Sequence, residues 1–299
     1  MAALVIALVG AFAAVAGLGA VGWRASGQAM QPVRGASRRS LDDYPELRPD
    51  DVVVEGRNGV SLAGRLIRGR GSATIVLVHG YGGNQDEMLP VAAALHAVGF
   101  GVFTFDTRGC GRSGGAVTFG ALECDDLIAV VDNLVDRGDV DANRIAVLGF
   151  SMGAATAILA AAGDPRIKAV VADSAWSDVR SWLRPSLRSF LLHPRDRFSP
   201  PSLKLVELRT RIDLDLLRPV DAVGAISPRP LLLLHGSADT VVLPEDSSRL
   251  LAAAGDPNER MLINGAQHGD TIAPGGAACG SAVLAFFERA LAIREEVAV

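Results

Sequence analysis

One serine stands where an apolar strand pattern meets an apolar helix pattern, in the run Gly149-Phe150-Ser151-Met152-Gly153. The residues from Ile145 to Phe150 read as a buried strand, and those from Ala154 onwards read as a helix. A strand that turns directly into a helix lifts the serine hydroxyl above the sheet and aims the helix N-terminus at any oxyanion that forms there. The two glycines allow the strand and the helix to approach closely. We therefore predict that Ser151 is a nucleophile.

The same spacing occurs a second time, at Gly111-Arg112-Ser113-Gly114-Gly115. Ser113 lies several residues beyond the predicted strand Val102 to Asp106, and more glycine follows it instead of an immediate helix. A tight structural turn is the alternative explanation for either match. The context favours Ser151 as the reactive serine.

A serine nucleophile needs a general base, for which histidine has the most suitable pKa. The chain has five candidates, which are His79, His96, His193, His235 and His268. We expect His79 and His235 to brace loops, because each ends a buried strand just before a glycine. His96 lies on the helix after the first glycine loop, on the far side from the strand ends, and His193 precedes a proline inside the insert over 174–227. His268 follows the last predicted strand, at the same sheet edge as Ser151, and is our candidate for the base.

The base in turn needs a carboxylate that orients it. Asp239 follows the predicted strand Leu231 to His235 by four residues and lies at the same edge. Asp173 ends the preceding strand and is the alternative, because an acid one strand earlier could reach the same histidine. We predict Asp239 as the orienting acid and keep Asp173 as the second choice.

The elements that must position these residues alternate between strand and helix. The predicted strands after the opening hairpin cover Thr74 to His79, Gly101 to Asp106, Ile145 to Phe150, Ile167 to Asp173, Pro230 to His235 and Arg260 to Ile263. Helices separate most of them, which predicts an α/β fold with a mostly parallel, doubly wound sheet. Two alternating segments around Asn58-Gly59 predict the hairpin. The rhythm breaks over residues 174–227, an arginine-rich insert where we expect a short helical cap over the carboxyl ends of the strands.

The first residues suggest a membrane anchor. No charged residue occurs from Ala2 to Trp23, a length sufficient to cross a bilayer. We predict a single-pass cell-membrane protein with an anchor over 1–24, a solvated linker over 25–50 and a catalytic domain over 51–299. A secreted protein is the alternative, because Ala25-Ser26-Gly27 could be a signal-peptide cleavage site. The side of the membrane that carries the domain stays open.

The composition limits the kinds of partner and cofactor that we expect for this protein. The net charge of −4 is spread over both signs, so no electrostatic footprint indicates nucleic acid. Three cysteines, with no Cys-x-x-Cys pair, give neither a disulfide framework nor a zinc site. We expect no metal or organic cofactor. The sequence leaves the oligomeric state open.

Five motifs in this order resemble those of the α/β-hydrolase superfamily. They are His79-Gly80-Tyr81-Gly82-Gly83-Asn84, Asp106 to Gly114, Gly149 to Gly153, His235 to Asp239 and Gln267-His268-Gly269. The chain order Ser, Asp, His is also the order of that fold. The nearest resemblance is to membrane-anchored bacterial serine hydrolases related to esterases and to the catalytic domain of prolyl-oligopeptidase-like peptidases.

The resemblance implies that the backbone N–H groups of Tyr81 and Met152 form an oxyanion hole. It also implies that Asp106 and Arg108 stabilise the loop beside the serine without joining the chemistry. We expect hydrolysis of a small carboxylic ester through a Ser-His-Asp triad and an acyl-enzyme. Two alternatives stay open: a serine peptidase or amidase that acts on short peptides, and a non-catalytic membrane-tethered binding protein of the same fold.

Overall fold

A single eight-stranded sheet organises the protein. The computed structural model describes residues 20, 22–32, 37, 39–183, 200–271 and 277–292. The strands are β1 Pro49–Glu55, β2 Ser61–Ile67, β3 Thr74–Val78, β4 Gly101–Phe105, β5 Ile145–Phe150, β6 Ile167–Asp173, β7 Leu231–Gly236 and β8 Asn258–Ile263. They lie in the order β1-β2-β4-β3-β5-β6-β7-β8. The strand that leads into Ser151, β5, is therefore near the middle of the sheet.

The sheet is parallel from β4 to β8 and antiparallel at the edge formed by β1 and β2. Strands β1 and β2 form the predicted hairpin. At its turn Asn58 has φ 63° and Gly59 has φ 72°, a left-handed conformation that these two residue types tolerate best. The mostly parallel sheet places the carboxyl ends of six strands at one edge, where the predicted site residues follow.

Helices cover both faces of this sheet. The described helices are α1 over 22–30, α2 Leu89–Ala97, α3 Ala121–Asp136, α4 Met152–Gly163, α5 Val179–Trp182, α6 Pro200–Thr210, α7 Pro219–Ala222, α8 Pro244–Ala253 and α9 Ala277–Ala292. Before β4, Gln85–Met88 is a 3-10 turn capped by the side chain of Asn84, and the α-helix begins at Leu89.

The core lies in two layers because the central strands bury both of their faces. Every residue of β3 and of β4 is buried, as their continuous apolar runs predict. One layer packs the sheet against α3 and α4, and the other packs it against α2 and α9. A third apolar cluster, beside the carboxyl edge, joins α5 and α6 to Met152 and Ala155 of α4. In this third cluster the cap contacts the start of α4, directly after Ser151.

The segment before β1 differs from our expectation of a solvated linker. Residues 22–30 form helix α1, whose buried residues are Gly22, Ala25, Ser26 and Ala29, at the spacing of one helix face. The small size of these side chains hides the face from a hydropathy analysis. The predicted anchor over 1–24 falls mainly outside the described residues. Within the part that the structure describes, no helix combines the length and apolarity that a membrane span needs.

The cap predicted over 174–227 is helical where the structure describes it. Helices α5, α6 and α7 alternate there with two 3-10 turns, Leu214–Leu216 and Val223–Ile226. Two of the four described arginines of this insert pair with acids: Arg180 contacts Glu207 and Asp215, and Arg218 contacts Asp178 and Asp221. These pairs tie the pieces of the cap to one another.

Candidate active site

Ser151 occupies a strained corner between β5 and α4. Its backbone has φ 54° and ψ −115°, a combination that a residue with a side chain rarely adopts. Its amide donates to the carbonyl of Asp173 at 2.8 Å, and its own carbonyl accepts the amides of Ala154 and Ala155 in the first turn of α4. These bonds hold the corner in place, so the hydroxyl projects from the carboxyl edge of the sheet.

The glycines on either side of the corner are required by close backbone contacts. A Cβ on Gly149 would lie 2.2 Å from the carbonyl oxygen of Gly153, and a Cβ on Gly153 would lie 2.2 Å from that of Val78. Neither approach leaves room for a side chain. The glycines therefore let α4 press against β3 and β5, which is what makes the turn at Ser151 so sharp.

The three predicted triad residues meet at this edge. The Nε2 atom of His268 lies 3.0 Å from Ser151 Oγ, and its Nδ1 atom lies 2.7 Å from Asp239 Oδ2. The ring of Phe150 packs on the imidazole with 5.0 Å between the ring centroids. Ser151 and Asp239 are buried, whereas the His268 side chain keeps 17% of its surface exposed. A substrate can therefore approach the imidazole from solvent.

The environment of Asp239 keeps it ionised. Burial raises the pKa of its carboxyl group, but hydrogen bonds from His235, His268 and the amides of Val242 and Val241 outweigh burial and hold the pKa well below its usual range. A carboxylate at Nδ1 favours the tautomer that carries its proton on Nδ1. The Nε2 atom is then free of a proton and can accept one from Ser151.

The chain is similar in sequence to known proteins. The family model described as "Serine aminopeptidase, S33" matches residues 69–211. An uncharacterised protein of Mycobacterium tuberculosis is 31% identical over 223 residues, 74% of this chain and 72% of the relative. The protein YfhR of Escherichia coli K12, also uncharacterised, is 29% identical over 231 residues, 75% of this chain and 74% of YfhR.

A solved structure extends the likeness to most of the chain. The esterase Pf2001 of Pyrococcus furiosus superposes with a TM-score of 0.74 at 27% identity, over 88% of this chain and 98% of the esterase. The chain belongs to the α/β-hydrolase superfamily. Within that superfamily it is related both to esterases and to peptidases of the S33 type.

In this α/β-hydrolase the loop that carries Tyr81 packs directly against the nucleophile elbow. A Cβ on Gly80 would lie 3.1 Å from the ring of Phe150 and 3.4 Å from Ser151 Cβ. The loop backbone therefore passes beside the serine. Met152 is the first residue of α4, where backbone N–H groups have no intrahelical partner. Of the two predicted oxyanion residues, Met152 thus directly follows Ser151, and Tyr81 follows the glycine that lies against it.

Two of the remaining candidates, His79 and Ser113, brace the hydrolase fold, whereas His193 lies outside the described residues. His79 accepts the Thr107 amide at Nε2, 3.0 Å away, and donates from Nδ1 to the Gly80 carbonyl. Burial lowers the pKa of His79, although its Gly80 hydrogen bond opposes this. Ser113 is buried, donates to the Asp106 carbonyl at 2.6 Å and accepts the amide of Ala63. The second Gly-x-Ser-x-Gly match is therefore a structural turn.

Asp173, our second choice for the acid, has a different set of partners. Its Oδ1 atom accepts the Ser174 hydroxyl at 3.0 Å, and its Oδ2 atom accepts the hydroxyl of Thr271, three residues after His268. Burial raises the pKa of Asp173 to about 6, while the two hydroxyl donors lower it in part. His268 is therefore hydrogen-bonded to Asp239, whereas Asp173 is hydrogen-bonded to the loop that carries His268. Sequence reasoning found Asp173 but missed Thr271.

His235 supports the acid from behind. Its Nε2 atom donates to the carbonyl of Val242 at 2.9 Å and lies 3.5 Å from Asp239 Oδ2. Burial lowers the pKa of this histidine, but the hydrogen bonds and the charge of Asp239 outweigh burial and raise it overall. The expectation that His235 braces a loop agrees with these contacts. Its closeness to Asp239 could not be read from the sequence.

The loop beside the elbow depends on two buried acids. Asp106 accepts the amides of Gln85 and Arg112, each at 2.8 Å. Arg108 forms a two-pronged pair with Asp126 of α3, with both N–O distances at 2.6 Å. Asp106 and Arg108 were expected to stabilise this loop, but Asp126 was missed. No signal in the sequence distinguishes it from the other acids of α3.

Groups of potential metal ligands are rare in the described part of the hydrolase. Glu207, Asp213 and Asp215 form one such group in the cap. Arg180 and Lys204 already pair with the carboxylates of Glu207 and Asp215, so protein cations neutralise two of its three members. The group lies in the cap and contacts neither Ser151 nor His268 through any described hydrogen bond.

Proposed function

We propose that this protein is a serine hydrolase that transfers the acyl group of a small carboxylic ester to water. The observation that carries the proposal is the hydrogen-bonded chain from Ser151 through His268 to Asp239, with distances of 3.0 Å and 2.7 Å. Such a chain activates an otherwise weak nucleophile. It needs no metal or organic cofactor.

In the first half-reaction Ser151 Oγ attacks the ester carbonyl carbon while His268 Nε2 takes the hydroxyl proton. The carbonyl oxygen becomes an oxyanion, which the amides of Tyr81 and Met152 stabilise. One such donor contributes about 3 kcal/mol. The tetrahedral intermediate then collapses, the ester C–O bond breaks, and His268 returns the proton to the departing alcohol.

In the second half-reaction water attacks the acyl-enzyme. His268 takes a proton from that water, the same amides hold the second oxyanion, and Ser151 leaves as the alkoxide that His268 reprotonates. Asp239 stays ionised throughout and stabilises the transient imidazolium. The products are a carboxylic acid and an alcohol.

A peptidase or amidase is the second candidate, because the matching family model carries the name of an aminopeptidase. An aminopeptidase must hold the ammonium group of its substrate, which a nearby carboxylate would do. Among the described residues, Asp173 and Asp239 beside the serine and histidine already accept hydrogen bonds from protein donors, and Asp270 accepts the amide of Gln267. This favours an ester as the substrate.

A fluorophosphonate probe tests the enzyme proposal. We expect covalent labelling of the wild type, complete loss of labelling in Ser151→Ala and a large loss in His268→Ala. Asp239→Asn should lower kcat by about 10⁴-fold. A well-folded wild type that takes no label would favour the non-catalytic binding protein instead. A p-nitrophenyl ester series, set against aminoacyl p-nitroanilides, then separates esterase from peptidase activity.

The proposed partners are a small-molecule substrate and, through residues 1–24, a membrane. The support for the membrane is the uncharged apolar run from Ala2 to Trp23. Extraction of native membranes with alkaline carbonate tests it. Release of the protein into the supernatant would count against a spanning anchor and in favour of the secreted alternative.

A further inference from the structure

Helix α1 is attached to the cap by Arg209 of α6. The guanidinium of Arg209 lies 4.2 Å from the centroid of the Trp23 ring, a cation–π distance. The same group donates to the Trp23 carbonyl at 3.1 Å and to the Ser26 hydroxyl at 3.0 Å. Three contacts from one side chain to one turn of helix fix where that helix lies against the cap.

The other end of α1 is attached to the catalytic domain. The carbonyl of Ala29 accepts the Tyr81 hydroxyl at 3.0 Å, and the carbonyl of Met30 accepts the amide of Val117 at 2.8 Å. These are carbonyls of the last turn, which have no partner within the helix. Pro32 continues the contact, since a Cβ on Gly82 would lie 3.3 Å from its ring.

Tyr81 connects this contact to the oxyanion site. Its ring stacks on Phe119 at 5.9 Å and lies 6.1 Å from the ring of Trp182, while its hydroxyl is bound to α1. Because the Tyr81 ring is held by two aromatic contacts and its hydroxyl by a hydrogen bond, the backbone of Tyr81 has little freedom to move. The same residue supplies one of the two amides assigned to the oxyanion. The orientation of that amide therefore depends on where α1 lies.

We infer that α1 is a positioning element of the oxyanion hole and that residues 22–30 are retained in the functional enzyme. This inference rests on the proposed hydrolase activity. Cleavage at Ala25-Ser26-Gly27 would remove Trp23 and cut through the buried face of α1, with loss of the contacts to Arg209. The retained helix also means that the described end of any anchor over 1–24 is held against the cap through Arg209.

Point variants of the full-length chain test the inference. Tyr81→Phe removes only the hydroxyl and keeps the backbone amide, and Arg209→Gln removes the attachment to the cap. Arg211→Gln is the matched control, because Arg211 is an exposed arginine two residues away with no described contact to α1. We measure kcat and KM on p-nitrophenyl esters, together with hydrogen exchange of residues 22–32.

Both test variants should accelerate hydrogen exchange in residues 22–32. They should also lower kcat about tenfold and leave KM within twofold of the wild type, because a displaced Tyr81 amide loses more stabilisation of the transition state than of the bound substrate. The control should change neither. Faster exchange with an unchanged kcat would overturn the inference, as would unchanged exchange in both variants. A wild type with a protected helix but no turnover on any ester or amide would instead refute the proposed function.

The N-terminus of the protein recovered from its native host supplies an independent readout. We expect an intact mass or N-terminal sequence that includes Trp23. An active enzyme that begins at residue 26, 27 or 28 would overturn the retention of α1.

Discussion

The main-chain carbonyl of Asp173 accepts the amide of Ser151 at 2.8 Å, so the residue after β5 is fastened to the last residue of β6. The side chain of Asp173 meanwhile accepts the hydroxyl of Thr271. One residue thus contacts both the corner that carries the nucleophile and the loop that carries His268. The relative position of serine and histidine should depend on this connection.

The first prediction concerns Thr271. Thr271→Val keeps the shape of the side chain and removes the hydroxyl, so the histidine loop loses its link to Asp173. We expect the rate of fluorophosphonate labelling of Ser151 to fall about tenfold, because His268 is less well placed to take the proton. Thr271→Ser keeps the donor and should label within twofold of the wild type. Equal labelling of the valine and serine variants would show that the link does not position His268.

The second prediction concerns the charge of Asp173. Burial raises its pKa to about 6 from 3.8, so the folded protein holds this proton more tightly than the unfolded chain does. The contribution of Asp173 to stability is therefore greatest below about pH 4 and is lost as the pH rises through 6. A shift of this size corresponds to about 3 kcal/mol.

Asp173→Asn removes this titration and leaves the others in place. We expect the free energy of unfolding of the wild type, minus that of the variant, to fall by about 2 kcal/mol between pH 4 and pH 7, because part of the effect lies below pH 4. The charges of His235 and His268 act on the Asp173 carboxyl group and lower its pKa in part. Urea unfolding at several pH values measures the difference. A difference that stays constant with pH would contradict the raised pKa.

The proximity of the main site residues could be predicted from the sequence, because the carboxyl ends of parallel strands lie at one edge of the sheet. Ser151, Asp239 and His268 each follow a different strand of the same sheet, so the chain order alone places them at its carboxyl end. The hairpin at Asn58-Gly59 was predictable for a local reason, since few residue types accept its backbone angles. In both cases the information lies within a strand and its following turn.

Other features depend on packing between distant segments and could not be predicted. Helix α1 buries a face of glycine, alanine and serine, which has no hydropathy signal. The partner of Arg108 is one of several acids in α3, and only the docking of that helix selects Asp126 over Asp125. Thr271 and the cap pairs of Arg180 are of the same kind. Each of these contacts is set by how two distant elements pack against each other, and the sequence of either element alone does not determine that packing.

The third prediction uses the two neighbouring acids of α3. Asp126 and Arg108 form a buried pair, whereas Asp125 lies 3.6 Å from Arg57 with both side chains well exposed. Asp126→Asn leaves a buried guanidinium without its counter-charge and should destabilise the protein by about 3–5 kcal/mol. Asp125→Asn should cost less than about 1 kcal/mol, because water screens an exposed pair. Urea unfolding of the two variants measures both costs, and equal losses would contradict the importance of burial.

The fourth prediction concerns the glycine that brings α4 against β3. Gly153→Ala places a Cβ 2.2 Å from the carbonyl oxygen of Val78 and 2.6 Å from that of His79, both rigid backbone atoms. The helix must move away, so we expect the free energy of unfolding to fall by about 3 kcal/mol. We also expect fluorophosphonate labelling of Ser151 to be lost. At Gly163, the last residue of α4, an added Cβ would meet no atom of the described residues within 4 Å.

Gly163→Ala is therefore the matched control at the other end of the same helix. It should leave labelling unchanged and raise stability by about 0.5 kcal/mol, because alanine restricts the unfolded chain more than glycine does. Thermal unfolding and labelling of the two variants can be compared side by side. If Gly153→Ala labelled at the wild-type rate, α4 could retreat from β3 without moving the serine, and the sharp corner would owe its position to the Asp173 carbonyl alone.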